Sequence, residues 1–430
     1  MVLLASCRIG FDAAPQSSPD ADTVDVPDGF ARIEVEHVGA AAGTVLGSNG
    51  FTCTMGACVL AVPIGTSVWL RGVVASDAWF AGWTGKCGGN FECRFDASGD
   101  VTIQAEFSPL PNRTFVTSTT TDGAFGGIAG ADAICSARAT AAGLTGNFVA
   151  YVSDSTATAT SRLASSRGWV RVDGAPFADA PTAFSNGQVV FPIRFDEYGN
   201  DLGTVTVFTG TAGGTAAPKH CLDWTSNLAT EGGAGTLSQF ASAAMDGGSM
   251  ACDQQRHLLC VETGRTVPVL IHPDLESPLA FATRALWTPG GGRASADAVC
   301  AADAASAGLP GTFLATVATT TESIASRFAP DAVYRRIDGV RLLRDPGLFT
   351  TDYLDVPPDR DPIGGLVSND YWTGVLRWNT PAQLTSNCSD WTDGGATVDG
   401  EMHYTAFTDL RSSAKREPCA TPLPLLCLQR

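Results

Sequence analysis

The sequence predicts an α+β protein: a small all-β module followed by two disulfide-stapled copies of one domain. Three observations carry that prediction. Four cysteines, with the residues around them, occur twice. A stretch ahead of them alternates apolar and polar residues like short strands between glycine turns. Each copy opens with an alanine-rich segment suited to a helix and continues as strands and loops.

The bulk numbers are compatible with this plan. The chain has 430 residues, room for about three domains. It is 44% hydrophobic and 17% charged, enough apolar material for packed cores. Its 47 glycines and 24 prolines point to many turns. No run reaches the roughly 18 apolar residues of a membrane span. The formal net charge is −17 and no basic stripe is visible, which argues against nucleic acid as a partner and against adsorption to anionic lipid. Thirteen cysteines suit an exported protein.

The odd cysteine count asks for one residue with a separate fate, and Cys7 is the candidate. Leu4-Ala5-Ser6-Cys7 looks like a bacterial lipobox, an apolar residue and two small ones before a cysteine that is lipidated. Only Met1 to Leu3 precede it, so the signal is expected to be truncated at its start. Residues 8–28 are polar, acidic and proline-bearing, and read as a tether that completes a non-globular segment 1–28. The expected membrane attachment is through the N-terminal lipid alone. The expected location is the outer membrane or cell surface.

Residues 29–109 form the β module. Ile33-Glu34-Val35, Thr66 to Leu70 and Val101 to Phe107 alternate like strands, and Gly47-Ser48-Asn49-Gly50 and Gly88-Gly89-Asn90 mark turns. Cys53 with Cys58 and Cys87 with Cys93 are the simplest pairs, with crosswise pairing also open. The order Gly43-Thr-Val45, Cys53-x4-Cys58, Gly65-Thr-Ser-Val68, Phe80-Ala-Gly82-Trp83-Thr-Gly85-x-Cys87, Cys93 and Val101 to Phe107 resembles the bacterial surface repeat of the internalin B-repeat type. The resemblance implies an extracellular β spacer without a catalytic role.

The rest is a duplication, residues 112–264 and 279–430, joined by a proline-bearing linker at 265–278. Cys135, Cys221, Cys252 and Cys260 recur as Cys300, Cys388, Cys419 and Cys427. Ala131-Asp132-Ala133-Ile134-Cys135 answers Ala296-Asp297-Ala298-Val299-Cys300, and Ser161-Arg162-Leu163 answers Ser326-Arg327-Phe328. Trp169-Val-Arg171-Val-Asp173-Gly174 answers Tyr334-Arg-Arg336-Ile-Asp338-Gly339, Phe208-Thr-Gly210 answers Trp372-Thr-Gly374, and Cys221-Leu-Asp223-Trp224-Thr225 answers Cys388-Ser-Asp390-Trp391-Thr392. A period of about 165 residues is far above solenoid repeats and means two whole domains. In each copy the alanine-rich stretch, Ala129 to Ala142 or Ala294 to Ala307, stops at Gly-Leu and predicts a helix. Phe148 to Val152 and Phe313 to Val317 predict strands.

Four cysteines allow three pairings. The opening Ala-Asp-Ala-x-Cys, the Cys-x-Asp-Trp-Thr segment and the closing Leu258-Leu259-Cys260-Val261-Glu262 or Leu425-Leu426-Cys427-Leu428 resemble a bacterial family of the C-type-lectin-like and endostatin-like superfamily. That resemblance implies nested bridges, Cys135–Cys260 around Cys221–Cys252 and Cys300–Cys427 around Cys388–Cys419.

The sequence offers little chemistry beyond this. Its five histidines are unmatched between copies; His220 faces Asn387 in register. There is no His-Glu-x-x-His, Gly-x-Ser-x-Gly or Gly-x4-Gly-Lys. Calcium-dependent lectins of the resembling fold use Glu-Pro-Asn or Gln-Pro-Asp and a later Trp-Asn-Asp; none occurs, and Asp246 to Met250 stands before Cys252 instead. Calcium stays a candidate through two oxygen-rich loops, Asp196, Glu197, Asn200 and Asp201, and Asp355, Asp359 and Asp361, with a solvated acidic loop as the plainer reading. Asp223-Trp224 and Asp390-Trp391 are candidate sugar-binding pairs, a ring stacking on the indole and hydrogen bonding to the carboxylate. The same residues also read as a structural tryptophan beside a disulfide with aspartate capping a turn. The expected function is non-catalytic binding or adhesion at the cell surface, to a glycan, a surface polymer or a protein. The alternatives are a structural envelope protein and a surface hydrolase.

Overall fold

The structure, a computed structural model, describes residues 26–186, 188–212, 215–216, 219–237, 249–406, 408, 410 and 415–430. Cys7, most of the tether and Asp246 lie outside the described residues. The protein is α+β, mostly sheet with few helices, and carries six disulfides.

Residues 29–109 make two four-stranded sheets. The first runs Ala57–Pro63, Phe30–Gly39, Val101–Pro109, Ala78–Gly85, with Phe30–Gly39 and Val101–Pro109 parallel. The second runs Thr52–Cys53, Gly43–Gly47, Ser67–Val74, Cys93–Asp96, all antiparallel. The alternation in the sequence becomes facing: Ile103, Ala105 and Phe107 are fully buried while Thr102 and Gln104 face water. They pack with Ile33, Val35, Leu70 and Trp83, each large side chain contributing about 1.5–3 kcal/mol by leaving water. Cys53–Cys58 and Cys87–Cys93 pair locally.

In the first copy one sheet runs Pro176–Ala178, Trp169–Arg171, Asn112–Val116, His257–Thr263, Thr206–Phe208, Gly232–Leu237, Ser249–Ala251, and Asn147–Ala150 also pairs with His257–Thr263. In the second copy the corresponding strands fall into two three-stranded sheets: Ala280–Ala282, Leu426–Gln429, Phe313–Ala315 and Asp370–Trp372, Asp399–Tyr404, Lys415–Pro418.

The alanine-rich segments are helices, Gly127–Ala141 and Gly292–Ser306. Ala131, Cys135 and Ala139, spaced by four, form the buried stripe of one; Ala296, Cys300 and Ala304 form that of the other. Small side chains bring each helix close enough for its cysteine to bond the closing strand, Cys135–Cys260 at a Cα separation of 5.4 Å and Cys300–Cys427 at 5.7 Å. The inner pairs are Cys221–Cys252 and Cys388–Cys419. The Ala-Asp-Ala and Ser-Arg motifs clamp the same junction. Asp132 accepts from Ala150 N and from Arg162 at 2.5 Å; Asp297 accepts from Ala315 N and from Arg327 at 2.6 Å.

The modules touch. Trp79 Nε1 and Asn90 Nδ2 both donate to the Gly174 carbonyl, at 2.9 and 2.8 Å. Arg344 pairs with Asp173, and Arg194 donates to the Leu354 carbonyl at 2.7 Å, so the copies are bonded to each other. Ala175 and Phe191 of the first copy share an apolar cluster with Tyr334, Val340 and Phe349 of the second. The linker is seated too: Gly89 N donates to His272 O at 2.6 Å, and Arg341 Nε to Asp274 at 2.5 Å. Among the described residues no helix is long and apolar enough to cross a membrane. Six disulfides suit an extracellular or otherwise oxidising environment.

Candidate functional site

Among the described residues the most unusual backbone is the Cys-x-Asp-Trp segment. Cys221, Leu222, Asp223 and Trp224 have φ of 49°, 52°, 53° and 64°; Cys388, Ser389, Asp390 and Trp391 have 52°, 54°, 54° and 67°. Each is one turn of left-handed helix made entirely of non-glycine residues. Trp224 N bonds to His220 O and Trp391 N to Asn387 O, both at 2.8 Å. L-residues lose roughly 1–2 kcal/mol each in this conformation, so each turn costs about 4–8 kcal/mol and the surroundings must overdetermine it.

They do, by the same means in both copies. The first residue is disulfide-bonded. The last sends its indole Nε1 to Ser153 O at 2.8 Å, or to Ala318 O at 2.7 Å. The aspartate accepts from Ser155 N and Oγ at 2.8 and 2.7 Å, or from Thr320 N and Oγ1 at 2.7 and 2.6 Å. Its own backbone N–H donates to His220 Nδ1 or Asn387 Oδ1, both at 3.0 Å, so an imidazole nitrogen and an amide oxygen do one job. Gly210 and Gly374 of the Thr-Gly motifs leave room for the indole: a Cβ there would come within 2.8 or 2.7 Å of the ring, and both have positive φ.

The electrostatics follow the bonds. Ser155 is the largest influence on Asp223, and its backbone and hydroxyl donors hold the carboxyl below the usual range. Burial pushes Asp390 upward, but the donors from Thr320 and Asn387 outweigh it and the carboxyl is again lowered.

Trp224 and Trp391 are completely buried. Trp224 stacks on Phe125 at 4.9 Å, and Trp391 lies 5.6 Å from Trp287. No sugar ring can lie on either indole, which corrects the expectation that these tryptophans are stacking platforms. Asp223 and Asp390 are fastened to neighbouring loops. The structural reading of the motif is the one the geometry supports.

Open space lies against the first turn and near the approach to the second, at Ser386. In the first copy a cleft of about 390 Å³ is bordered by Lys219, His220, Leu222, Glu231, Ser249 and Met250. In the second, a cleft of about 290 Å³ is bordered by Leu376, Arg377, Gln383, Ser386, Glu401 and Arg416. Ser386 and Arg416 stand where the first copy has Lys219 and Ser249. Each cleft thus mixes a cation, a carboxylate and apolar surface. Lys219 Nζ donates to Ser249 Oγ at 3.1 Å, a contact that these replacements remove from the second copy.

The oxygen-rich loops are occupied by the protein's own donors. Asp196 accepts from Tyr198 N, Asn200 N and Asn200 Nδ2. Glu197, buried, takes Ser118 and Arg138. Asp201 pairs with Arg194, Asp355 accepts from Arg344 N, Asp359 pairs with Arg336, and Asp361 accepts from Ile363 N and Gly365 N. Among the described residues no three His, Cys, Asp or Glu side chains converge as a metal ion would require, so calcium finds no ligand cluster among these seven.

The sequence reading missed the Ser155 and Thr320 partners, which vary in type and sit outside any motif, and the Arg344–Asp173 contact between copies. The paired Ser161-Arg162 and Ser326-Arg327 were the visible signal for the Asp132 and Asp297 clamps. No family model matches this chain, and no curated protein matches it.

Proposed function

We propose that the chain is an exported cell-surface protein that binds a glycan, surface polymer or protein through two lectin-like heads, residues 112–264 and 279–430. The observation that carries this reading is the duplicated strained turn, with an open cleft against the first and another two residues before the second: backbone strain of this size is retained where the structure around it has a use. The nested bridges support kinship with the C-type-lectin-like superfamily. The two clefts differ in lining, so the heads bind related but not identical features of a ligand. Both sit on one chain, so a repetitive ligand gains avidity. The β module is the B-repeat-like spacer, Cys7 the lipid anchor, and the chain is not an enzyme.

The test is a glycan array with the disulfide-intact chain, together with a whole-cell binding assay. Binding that is lost on Arg377→Gln or Glu231→Gln, with the melting temperature retained, supports the reading. Blank results in both assays would remove it.

A further inference from the structure

We propose that the β module is itself part of a binding surface: with both copies it builds a cleft for a carboxylate-bearing oligosaccharide, a uronic-acid chain. This goes beyond the clefts beside the turns and does not depend on them. The cleft, about 380 Å³, lies where all three modules meet and is lined by Arg71, Trp79, Phe91 and Glu92 of the β module, Asp173 of the first copy, and Arg344 and Asp345 of the second.

Its walls are fixed. Trp79 and Asn90 both bond the Gly174 carbonyl. Arg344 pairs with Asp173 and lies over the Phe91 ring at 4.5 Å, so its charge is already matched. Arg71 differs. It is exposed, and its guanidinium has no hydrogen bond or ion pair among the described residues. Of the three carboxylates that line the cleft, Asp173 is held by Arg171 and Arg344 and Glu92 by Arg94, and none pairs with Arg71; a guanidinium left open in this way can take a carboxylate from outside.

Arg71 also belongs to an exposed sheet face. Along Ser67–Val74, Trp69, Arg71 and Val73 face outward while Val68 and Leu70 are buried. Leu46 stands opposite Arg71 and Arg94 opposite Trp69. Trp69, Val73 and Leu46 are 36%, 41% and 37% exposed. A partly exposed indole one side-chain position from an unpaired guanidinium offers apolar surface for a sugar ring and a fork for its carboxylate. The cleft continues the track with polar groups, Asn90 and Asp345, suited to hydroxyls.

The full chain is titrated with an oligogalacturonate, with a malto-oligosaccharide of equal length and with polyglutamate. The uronate chain is expected to bind, Arg71→Gln and Trp69→Ala each to weaken it about tenfold, and Arg71→Lys to keep part of the affinity. The neutral sugar shows no difference among variants. Three results would each overturn the proposal: no uronate binding, uronate binding unchanged in both variants, or binding of polyglutamate in preference to the sugar. Array ligands lost through changes beside the turns but untouched by Arg71→Gln would leave the head reading standing while the uronate titration decides this one.

Discussion

The turn Cys221–Trp224 holds Leu222, 58% exposed, out toward water beside a cleft that Lys219 and His220 also border, whereas Cys388–Trp391 has Ser389 at that position. Their backbones agree to within a few degrees at every residue. What stayed the same is what holds the turn: the bridge, the indole bond, the aspartate accepting from a hydroxyl residue in a distant loop. What changed is what the turn shows to solvent. The comparison separates scaffold from surface without any relative to consult, because the chain carries its own second example.

The outer bridges are the strongest part of the shared scaffold. Cys135–Cys260 and Cys300–Cys427 close loops with separations of 125 and 127 residues, and the chain-entropy model gives each about 5 kcal/mol. Cys135→Ala with Cys260→Ala, or Cys300→Ala with Cys427→Ala, is expected to cost the affected copy about that much, measured by denaturant unfolding. Equal losses would uphold the equivalence of the copies, and a loss in one alone would break it.

Trp224→Ala and Trp391→Ala come next, at about 3–5 kcal/mol each for a fully buried indole. The left-handed φ should be lost with the indole, so circular dichroism in the aromatic region is the second readout.

The copies should part company in pH dependence. Asp370 stands in the strand Asp370–Trp372 where the first copy has Thr206. Burial raises its carboxyl from 3.8 to about 6; Lys415 opposes the rise and Glu417 adds to it. The folded state therefore holds that proton more tightly than the unfolded chain. Its stability contribution is complete below about pH 4 and is lost as pH rises through about 6. A shift of this size is worth at most about 3 kcal/mol, and partial exposure reduces it to about 1 kcal/mol. Asp370→Asn should remove that slope and stabilise the second copy at neutral pH, with the first copy unchanged. A melting series from pH 4 to 7 checks it.

The smallest effect concerns the strain itself. Leu222→Gly and Ser389→Gly place the residue that tolerates positive φ at the second position of each turn, and about 0.5–1 kcal/mol of stabilisation is expected after the entropy loss of glycine. Thermal shift would detect it, and destabilisation at both sites would show that the side chains do more than tolerate the turn.

Much of this architecture was legible in the residues. The helices begin within two residues of their expected starts at Ala129 and Ala294, because alanine spacing and the glycine stop are local signals. The strand Val101–Pro109 was visible in its alternation. His220 facing Asn387 in the ladder counted against shared histidine chemistry, and the two prove to share a capping role. The left-handed turns were not legible, since Cys-Leu-Asp-Trp contains no glycine or asparagine to announce positive φ; tertiary bonds impose it. The carboxylate loops misled for a related reason. Asp196, Glu197 and Asp355 look like ion ligands by composition, and some of their partners are far off in the chain, Ser118 for Glu197 and Arg194 for Asp355.

The nested bridges have a mechanical consequence. If a cell-surface protein is pulled from its ends, tension enters each copy through the chain and leaves through the chain, and the outer bridge provides a covalent shortcut between the two. The 125 residues inside Cys135–Cys260 represent about 440 Å of contour at full extension, and that length stays stored while the bridge holds. The β module has no such protection, because its bridges span only 5 and 6 residues. Its resistance rests instead on the parallel pairing of its first and last strands, Phe30–Gly39 and Val101–Pro109, and once these part nearly its whole length can extend. Single-molecule stretching before and after reduction would record the stored length being released.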